Sequence, residues 1–458
     1  MNLQSQNYLY ALLSSLLLGG CMTYRSLPLD DHPNQHHSVQ DIRIDTDKLA
    51  FPLLRNRKFD PKDGLDMTEV AMLAVANNPD LKLARQDAGV SQAQAFAAHL
   101  LPDPQFSLTR DYPQSGPPGT TTAFNAGLGY DLNALVTHAA GENSADAEAR
   151  KTDLNLLWQE WQVVAQSRAL FSQIVNEGNQ YDWLVNDRDM LANRYRQSSR
   201  ALEEGEITSD VASVNLSAWQ DAARQVNDLA RQRLKARQDL NALLGLPAST
   251  TLDLVDNEKL PLANNAEVKS ALENLAARRP DLLALKAGYE AEDARYRQAI
   301  LAQFPPLNLA LTRARDTGGI FTRGFALSMA LPLLNGNRGN IRIEEATRQR
   351  LHDEYEQRLN GARNEIERVI ADNQLLASQL ETVRAALPGL DKAAQNASEA
   401  LKAGDLDWPA YTALESARIA KHIESTNLRQ SMLEGNITLL TLLGGEFTNT
   451  RGASENQP

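Results

Sequence analysis

The chain of 458 residues has one cysteine, Cys21. No intrachain disulfide can form, and no Cys-based metal site is available. It also lacks an apolar run of the ~20 residues that a transmembrane helix needs. If the chain crosses a bilayer, strands must do it, because only helices and closed barrels satisfy every backbone group in lipid. Catalytic signatures are missing too: there is no Gly-rich phosphate loop ahead of a helix, no GxSxG and no HExxH. The seven histidines fall into no metal-ligand or catalytic spacing. An enzyme is therefore not expected, and no cofactor is implied. The net charge of −12, spread along the chain, disfavours nucleic acid as a partner.

What is present begins at Cys21. Leu9 to Leu18 is almost wholly apolar and is followed by Gly19, Gly20 and Cys21. A run of ~10 apolar residues is too short to span a bilayer but fits the core of a secretory signal. With Leu18 three positions ahead of the cysteine and small residues between, the stretch resembles the bacterial lipobox, in which the cysteine becomes the acylated N-terminus. No Lys or Arg precedes Arg25, a departure from ordinary signals. The expectation is a signal peptide over 1–20, lipid attachment at Cys21, and a lipidated, extended N-terminal arm over 21–63. The competing reading of a lone cysteine is a small buried hydrophobe. His32, His36 and His37 lie in the arm without acidic or thiol companions at metal-site spacing, and read as a solvated cluster.

The remainder is written twice. NPDLKLARQ (78–86) recurs as RPDLLALKA (279–287), and LLPDPQFSLTR (100–110) as QFPPLNLALTR (303–313). ALEEGEITSDV (201–211) recurs as ALKAGDLDWPA (400–410), and LNALLGL (240–246) as LLTLLGG (439–445). The glycine pairs Gly205/Gly245 and Gly404/Gly444 share one spacing. The units are placed at 64–246 and 266–447, with an equatorial connector over 247–265 and a polar tail over 448–458.

Each unit reads as a Pro-Asp-led helix, two strands, a very long helix, a glycine turn and a returning helix. Strands are expected at about 105–112, 123–132, 307–315 and 324–331. In them a bulky apolar face (Phe106, Leu108, Phe124, Leu128, Leu309, Leu311, Phe325, Leu327) alternates with a small or polar one. This pattern fits a half-buried hairpin and equally an outer-membrane barrel strand of ~9 to 11 residues, apolar toward lipid and polar toward the lumen. Arg110 and Arg313 fall on the apolar face late in each first strand, where a charge would sit near an interface. Two hairpins cannot close, since the smallest such barrels have ~8 strands. Three chains of four strands would give twelve.

The second long helix carries Tyr355, Leu359, Ala362, Ile366, Val369, Asn373, Leu376, Leu380, Val383, Leu387 and Leu390 in alternating steps of four and three, a heptad pattern for helix-on-helix packing. The first carries a looser version through Leu154, Leu157, Trp161, Val164, Phe171 and Val175. Pro388 should bend or break the second locally. The first is expected to run from about Gly141 to Leu202, about 90 Å. The helices over about 209–244 and 281–303 sum to its length, so each unit reads as one long helix matched by two stacked short ones.

This duplicated order, over about 66–447, resembles the TolC-like outer-membrane efflux family. The resemblance implies a mainly α fold with transmembrane β. Three chains would form a 12-stranded β-barrel continuous with a 12-column α-helical barrel. It further implies a homotrimer in Gram-negative outer-membrane lipid, a periplasmic adaptor (membrane fusion protein) and an inner-membrane pump of the proton-driven RND type. Gly205-Glu206-Ile-Thr-Ser-Asp210-Val211 matches the family's periplasmic tip, and Asp210 falls where members place an aspartate near the closed aperture. An acidic ring of three copies would raise some carboxylate pKa values. Asp210 is then either a gate or a cap of the returning helix, a role Thr208 or Ser209 could also fill. Gly205, Glu206, Gly404, Asp405 and Asp407 are the adaptor-docking candidates; Pro409 occupies the position equivalent to Asp210.

LPLLNGNRGNI (331–341) resembles the motif of the cobalt-zinc-cadmium (CzcC-like) branch, with Gly336 where that branch has arginine. The function implied is an export duct for small molecules or metal ions. The alternatives are a type I secretion conduit for polypeptides and a lipid-anchored coiled-coil scaffold without a pore.

Overall fold

The computed structural model describes residues 24–32, 38–257, 265–305 and 307–444. The chain divides into two units, Met1–His36 and His37–Pro458. In the first, residues 24–32 form no helix or strand and are exposed. Cys21, His36, His37 and the tail over 448–458 lie outside the described residues.

The second unit holds α1 (Pro52–Arg55), α2 (Met67–Asn77), α3 (Pro79–Ala98), β1 (Gln105–Asp111), β2 (Ala123–Asp131), α4 (Leu132–Glu203) and α5 (Ser209–Leu243). The plan then repeats: α6 (Asn265–Glu273), α7 (Leu275–Arg278), α8 (Pro280–Leu301), β3 (Leu307–Arg315), β4 (Phe321–Met329), α9 (Arg338–Ala403) and α10 (Trp408–Leu442). The strands form one antiparallel sheet in the order β1-β2-β3-β4, so β2 and β3 join the two repeats. β4 begins three residues before the expected 324 because β3 pairs along its whole length, Arg315 opposite Phe321. The intervening turn is closed by Asp316 N–H donating to the Ile320 carbonyl (3.1 Å), with Gly319 at φ 84°.

Two helix expectations are corrected. The first long helix begins at Leu132, not Gly141: Asp131 accepts from Asn133 N–H at 2.9 Å, and no Pro or Gly follows before Gly141 to stop the helix growing straight out of β2. Its 72 residues extend about 108 Å. In the second repeat Pro332, Gly336 (φ 52°) and Asn337 (φ 55°) hold the corresponding stretch out of helix until Arg338. Nor does Pro388 break α9, which runs unbroken for 66 residues. Pro388 and Arg384 are both exposed, so water can serve the carbonyl that proline leaves without a donor.

The helices stand as a single-layer wall. Near the sheet the neighbours run α3-α4-α8-α9; farther away they run α5-α4-α10-α9. All eleven residues of the α9 heptad stripe are buried or half-buried. Its one polar member, Asn373, packs so closely on Gly435 of α10 that a Cβ there would overlap its amide, with Cγ at 2.9 Å. α4 is flanked on both sides and buries side chains around much of its circumference. That is why its heptad pattern is loose.

The apolar core is gathered at the equator, where the short helices meet end to end. One cluster joins Val70 and Leu73 of α2 to Phe171, Ile174, Leu240 and Leu244. Another joins Leu275 and Leu282 to Ala362, Ile366, Leu439 and Leu443. The later part of the expected arm is not extended: Leu49, Phe51 and Leu54 are buried in a third cluster with Met72 and Val164.

Each joint solves the same problem, the carbonyls left without partners at a helix C-terminus. In the first repeat Asn77 and Asn78 donate to the Leu244 (2.6 Å) and Leu243 (2.8 Å) carbonyls, while Asn78 also accepts from Leu81 N–H at 2.9 Å. Gly245 turns away at φ 65°, where a Cβ would stand 2.7 Å from the Asn77 carbonyl. In the second repeat Arg278 and Arg279 donate to the Leu443 (3.2 Å) and Leu442 (3.5 Å) carbonyls. Arg279 is fully buried, stacked over Trp158, and paired through two hydrogen bonds (2.9 and 2.7 Å) with Asp281, which Arg358 also reaches at 2.9 Å. Burial pushes the Asp281 carboxyl upward, but the two guanidiniums overrule it and hold the pKa below the usual range.

A depressed carboxylate pKa stabilises above the unfolded-state value and ceases to as pH falls through the folded-state value. Asp281→Asn should therefore lower stability near neutrality by about 3 kcal/mol, because it strands a buried guanidinium. Thermal unfolding across an acid titration checks this: the gap between wild type and variant should shrink on acidification.

Candidate functional site

In a β-strand successive side chains point to opposite faces, and here the register sorts them into two surfaces. On one, Phe106, Leu128, Leu311 and Phe325 form an unbroken cross-strand row, flanked by Tyr130, Leu309 and Leu327. Phe106, Leu311 and Phe325 are 71%, 60% and 77% exposed. Among the described residues no helix covers this face, so the half-buried hairpin is excluded. The other face carries Gln105, Gly129, Ala310 and Ala326 in one row and Ser107, Gly127, Thr312 and Gly324 in the next. One face suits lipid and the other suits water.

Below the sheet the polar lining continues. Helices α3, α4, α8 and α9 surround a concavity of about 570 Å³ lined by Ser91, Thr137, Ser144, Gln298, Asn340 and Glu344. Beside it, burial and the neighbouring Glu344 carboxylate push Glu292 of α8 up to about 7, with Arg295 opposing. Where the helices adjoin the strands, His99 lies 3.1 Å from Glu142 and 2.9 Å from Asp146, and His138 lies 3.2 Å from Glu142. Among the described residues no group of His, Cys, Asp or Glu is arranged to hold a metal ion.

At the opposite end both long helices finish in the same turn. Gly205 (φ 74°) and Gly404 (φ 85°) adopt the left-handed conformation; Glu206 N–H donates to Ala201 (2.8 Å) and Asp405 N–H to Ala400 (2.9 Å). This is the Schellman closure, in which glycine avoids the Cβ clash. Gly205, Glu206, Gly404 and Asp405 are exposed on these turns. Asp407 is the N-cap of α10, accepting from Ala410 N–H at 2.9 Å. Thr208 is the N-cap of α5 without a side-chain capping bond. Asp210, exposed in the first turn, has its carboxyl held below the usual range by the Thr208 hydroxyl and the N–H groups of Asp210 and Val211. Within one chain Asp210 therefore makes the contacts of a helix cap.

The profile of the family described as outer membrane efflux protein matches residues 271–445, nearly the whole second repeat. The chain is 25% identical over 399 residues to the probable outer membrane lipoprotein SilC of Salmonella typhimurium, covering 81% of this chain and 84% of SilC. It is 25% identical over 403 residues to the cation efflux system protein CusC of Escherichia coli K12, covering 81% and 85%. The solved outer-membrane channel OprN superposes with a TM-score of 0.70 at 15% identity, covering 93% of this chain and 99% of OprN.

The second repeat matches the outer membrane efflux protein family.

The fold is that of the TolC-like channels, as the duplicated order implies. Members are passive channel proteins rather than enzymes, so the features of this chain that matter are its lining, its edges and its tips. Sequence reasoning missed the Glu292–Glu344 pair and the His99/His138 cluster, because residues of different helices bring each together. It also missed the joint donors, although NNPD (77–80) and RRPD (278–281) advertise them. A polar doublet ahead of Pro-Asp in both repeats is the signal.

Glu292 gives a pH prediction. A carboxyl whose folded pKa is raised contributes stability below its unfolded-state pKa that is lost as pH rises through the folded-state value. Glu292→Gln should raise thermal stability at about pH 8 and leave it nearly unchanged at about pH 5. An equal effect at both would show that the Glu292 pKa is not raised in the folded protein.

Proposed function

We propose that this chain is the outer-membrane duct of a tripartite pump, passing small molecules or metal ions from the periplasmic side to the exterior without chemistry. One observation carries the reading: the sheet exposes large apolar rows on one face and small polar rows on the other, while among the described residues β1 and β4 lack outer partners. In lipid such edges must be paired. Three copies of the four strands would pair β1 of each with β4 of the next and give a closed barrel of twelve.

The helical wall has matching open margins. Leu83, Val90 and Phe96 of α3 and Val211 and Val214 of α5 are exposed at one, and Ile343 and Leu375 of α9 at the other. In the homotrimer these would meet, extending the barrel into the periplasm as twelve helical columns. The twin glycine turns would then form the rim for an adaptor joined to an inner-membrane pump, and acylation of Cys21 would tether each chain to the outer membrane. CusC is named a cation efflux protein, and the LPLLNGNRGNI stretch resembles the metal-exporting branch. Both favour metal cations among the cargoes.

At the rim Asp210 gates as well as caps: three carboxylates brought together there would repel. Purified protein should migrate as a heat-modifiable trimer and conduct ions in planar bilayers. Asp210→Ala and Asp210→Asn should both raise the closed-state conductance if charge gates the tube. If only the alanine variant changes, by loosening the α5 terminus, Asp210 is a cap alone. A monomer without conductance would remove the duct.

A further inference from the structure

The apolar face of the sheet ends in a patch of arginine at its hairpin end. Arg313 of β3 lies directly opposite Arg323 of β4, and in the next row Arg110, Phe124, Arg315 and Phe321 stand side by side across all four strands. All four guanidiniums project from the face that carries Phe106 and Phe325, because residues two apart share a face. Like charges directly opposite on a sheet destabilise it. No acidic group relieves them: among the described residues none of the four arginines has an ion-pair partner. Asp111 belongs to the polar face, and Asp316 is occupied at the turn, accepting from Ile320 N–H at 2.9 Å. Arg315 Nε is shielded from solvent and has no hydrogen-bond partner.

The aromatic neighbours fix the patch in place. Arg110 sits over the Tyr112 ring at 5.1 Å and Arg315 over Phe321 at 5.4 Å, with Phe321 edge-on to Phe124 at 6.2 Å. A tyrosine such as Tyr112 prefers the level where hydrocarbon gives way to headgroup. The strands enter from the helical wall and turn at 112–122 and 316–320, so the patch lies at the membrane surface farthest from the helices.

We propose that this patch is a binding site for phosphate-bearing lipid headgroups in the leaflet away from the periplasm, with Arg313 and Arg323 sharing one phosphate and Arg315 and Arg110 reaching the next. The proposal rests on the membrane-duct reading. Guanidinium is the group suited to it, since its planar donors bind phosphate bidentately where an ammonium acts as a point charge. Neutralising Arg313 and Arg323 removes the repulsion between two β-strands. The headgroup would therefore strengthen the sheet as well as anchor it.

The test uses the full-length protein reconstituted in phosphatidylcholine vesicles with and without lipid A, a bis-phosphorylated glycolipid, and reads retained lipid A by native mass spectrometry alongside conductance. Wild type should retain lipid A. Arg313→Gln/Arg323→Gln should retain it about fivefold more weakly per arginine removed, with conductance unchanged. Arg342→Gln/Arg350→Gln, on an exposed face of α9, should match wild type. If the glutamine pair fails to fold, Arg110→Gln alone should still show the loss. Equal retention by wild type and the arginine-patch variants overturns the proposal, as does full displacement of lipid A by inorganic phosphate alone. Absence of conductance in every vesicle would instead strike the duct.

Discussion

A helix of finite length ends with carbonyls that nothing within it can satisfy, and this wall depends on how those ends are met. Each repeat sets a helix of about 100 Å beside two short ones, and a single layer gives little depth in which to hide the break. The joints place side-chain donors from one short helix on the terminal carbonyls of the other and bury apolar residues around the contact. The first uses neutral amides. The second uses a buried guanidinium, which needs Asp281 beside it and Trp158 beneath it. A neutral joint carries no desolvated charge, whereas the charged one is strong only while both partners are present.

The second constraint is that one layer cannot bury both of its faces. Residues along the wall are therefore sorted three ways, toward neighbours within the chain, toward the concave polar side, and toward edges that the chain leaves open. α9 shows the sorting at its cleanest, with a heptad stripe facing α10 and Asn373 seated on Gly435. The sheet obeys the same rule with a period of two instead of three and a half. Its polar face contains so much Gly, Ala, Ser and Thr because small side chains leave room for water inside a closed barrel.

Much of this was legible in the sequence, for identifiable reasons. A duplicated order survives in punctuation such as Pro-Asp, the tip glycines and Leu-Leu-Gly, so the four strands and the return helices fall close to where the residues placed them. Boundaries went astray where punctuation is missing or misleading. Nothing between Leu132 and Gly141 stops a helix, and Pro388 marks a break that solvent exposure makes unnecessary. Long-range groupings were beyond reach: the arginine patch became visible only once register set Arg323 against Arg313, since the alternation reading had noted Arg110 and Arg313 alone.

Asp210 shows how one residue can satisfy two readings without contradiction. In an isolated chain its carboxylate is stabilised by the Thr208 hydroxyl and the first N–H groups of α5, a contribution that needs no other copy. Those same contacts keep the group ionised, and repulsion between symmetry-related copies requires ionised groups. The second repeat lacks the residue, having Pro409 there, and assigns capping to Asp407, which accepts from Ala410 N–H. Proline carries no charge, so a negative charge at the position of Asp210 is present in one repeat only. Any ring it forms would hold three carboxylates rather than six, at wider spacing, so a change of a few ångströms at the tip would alter their repulsion steeply.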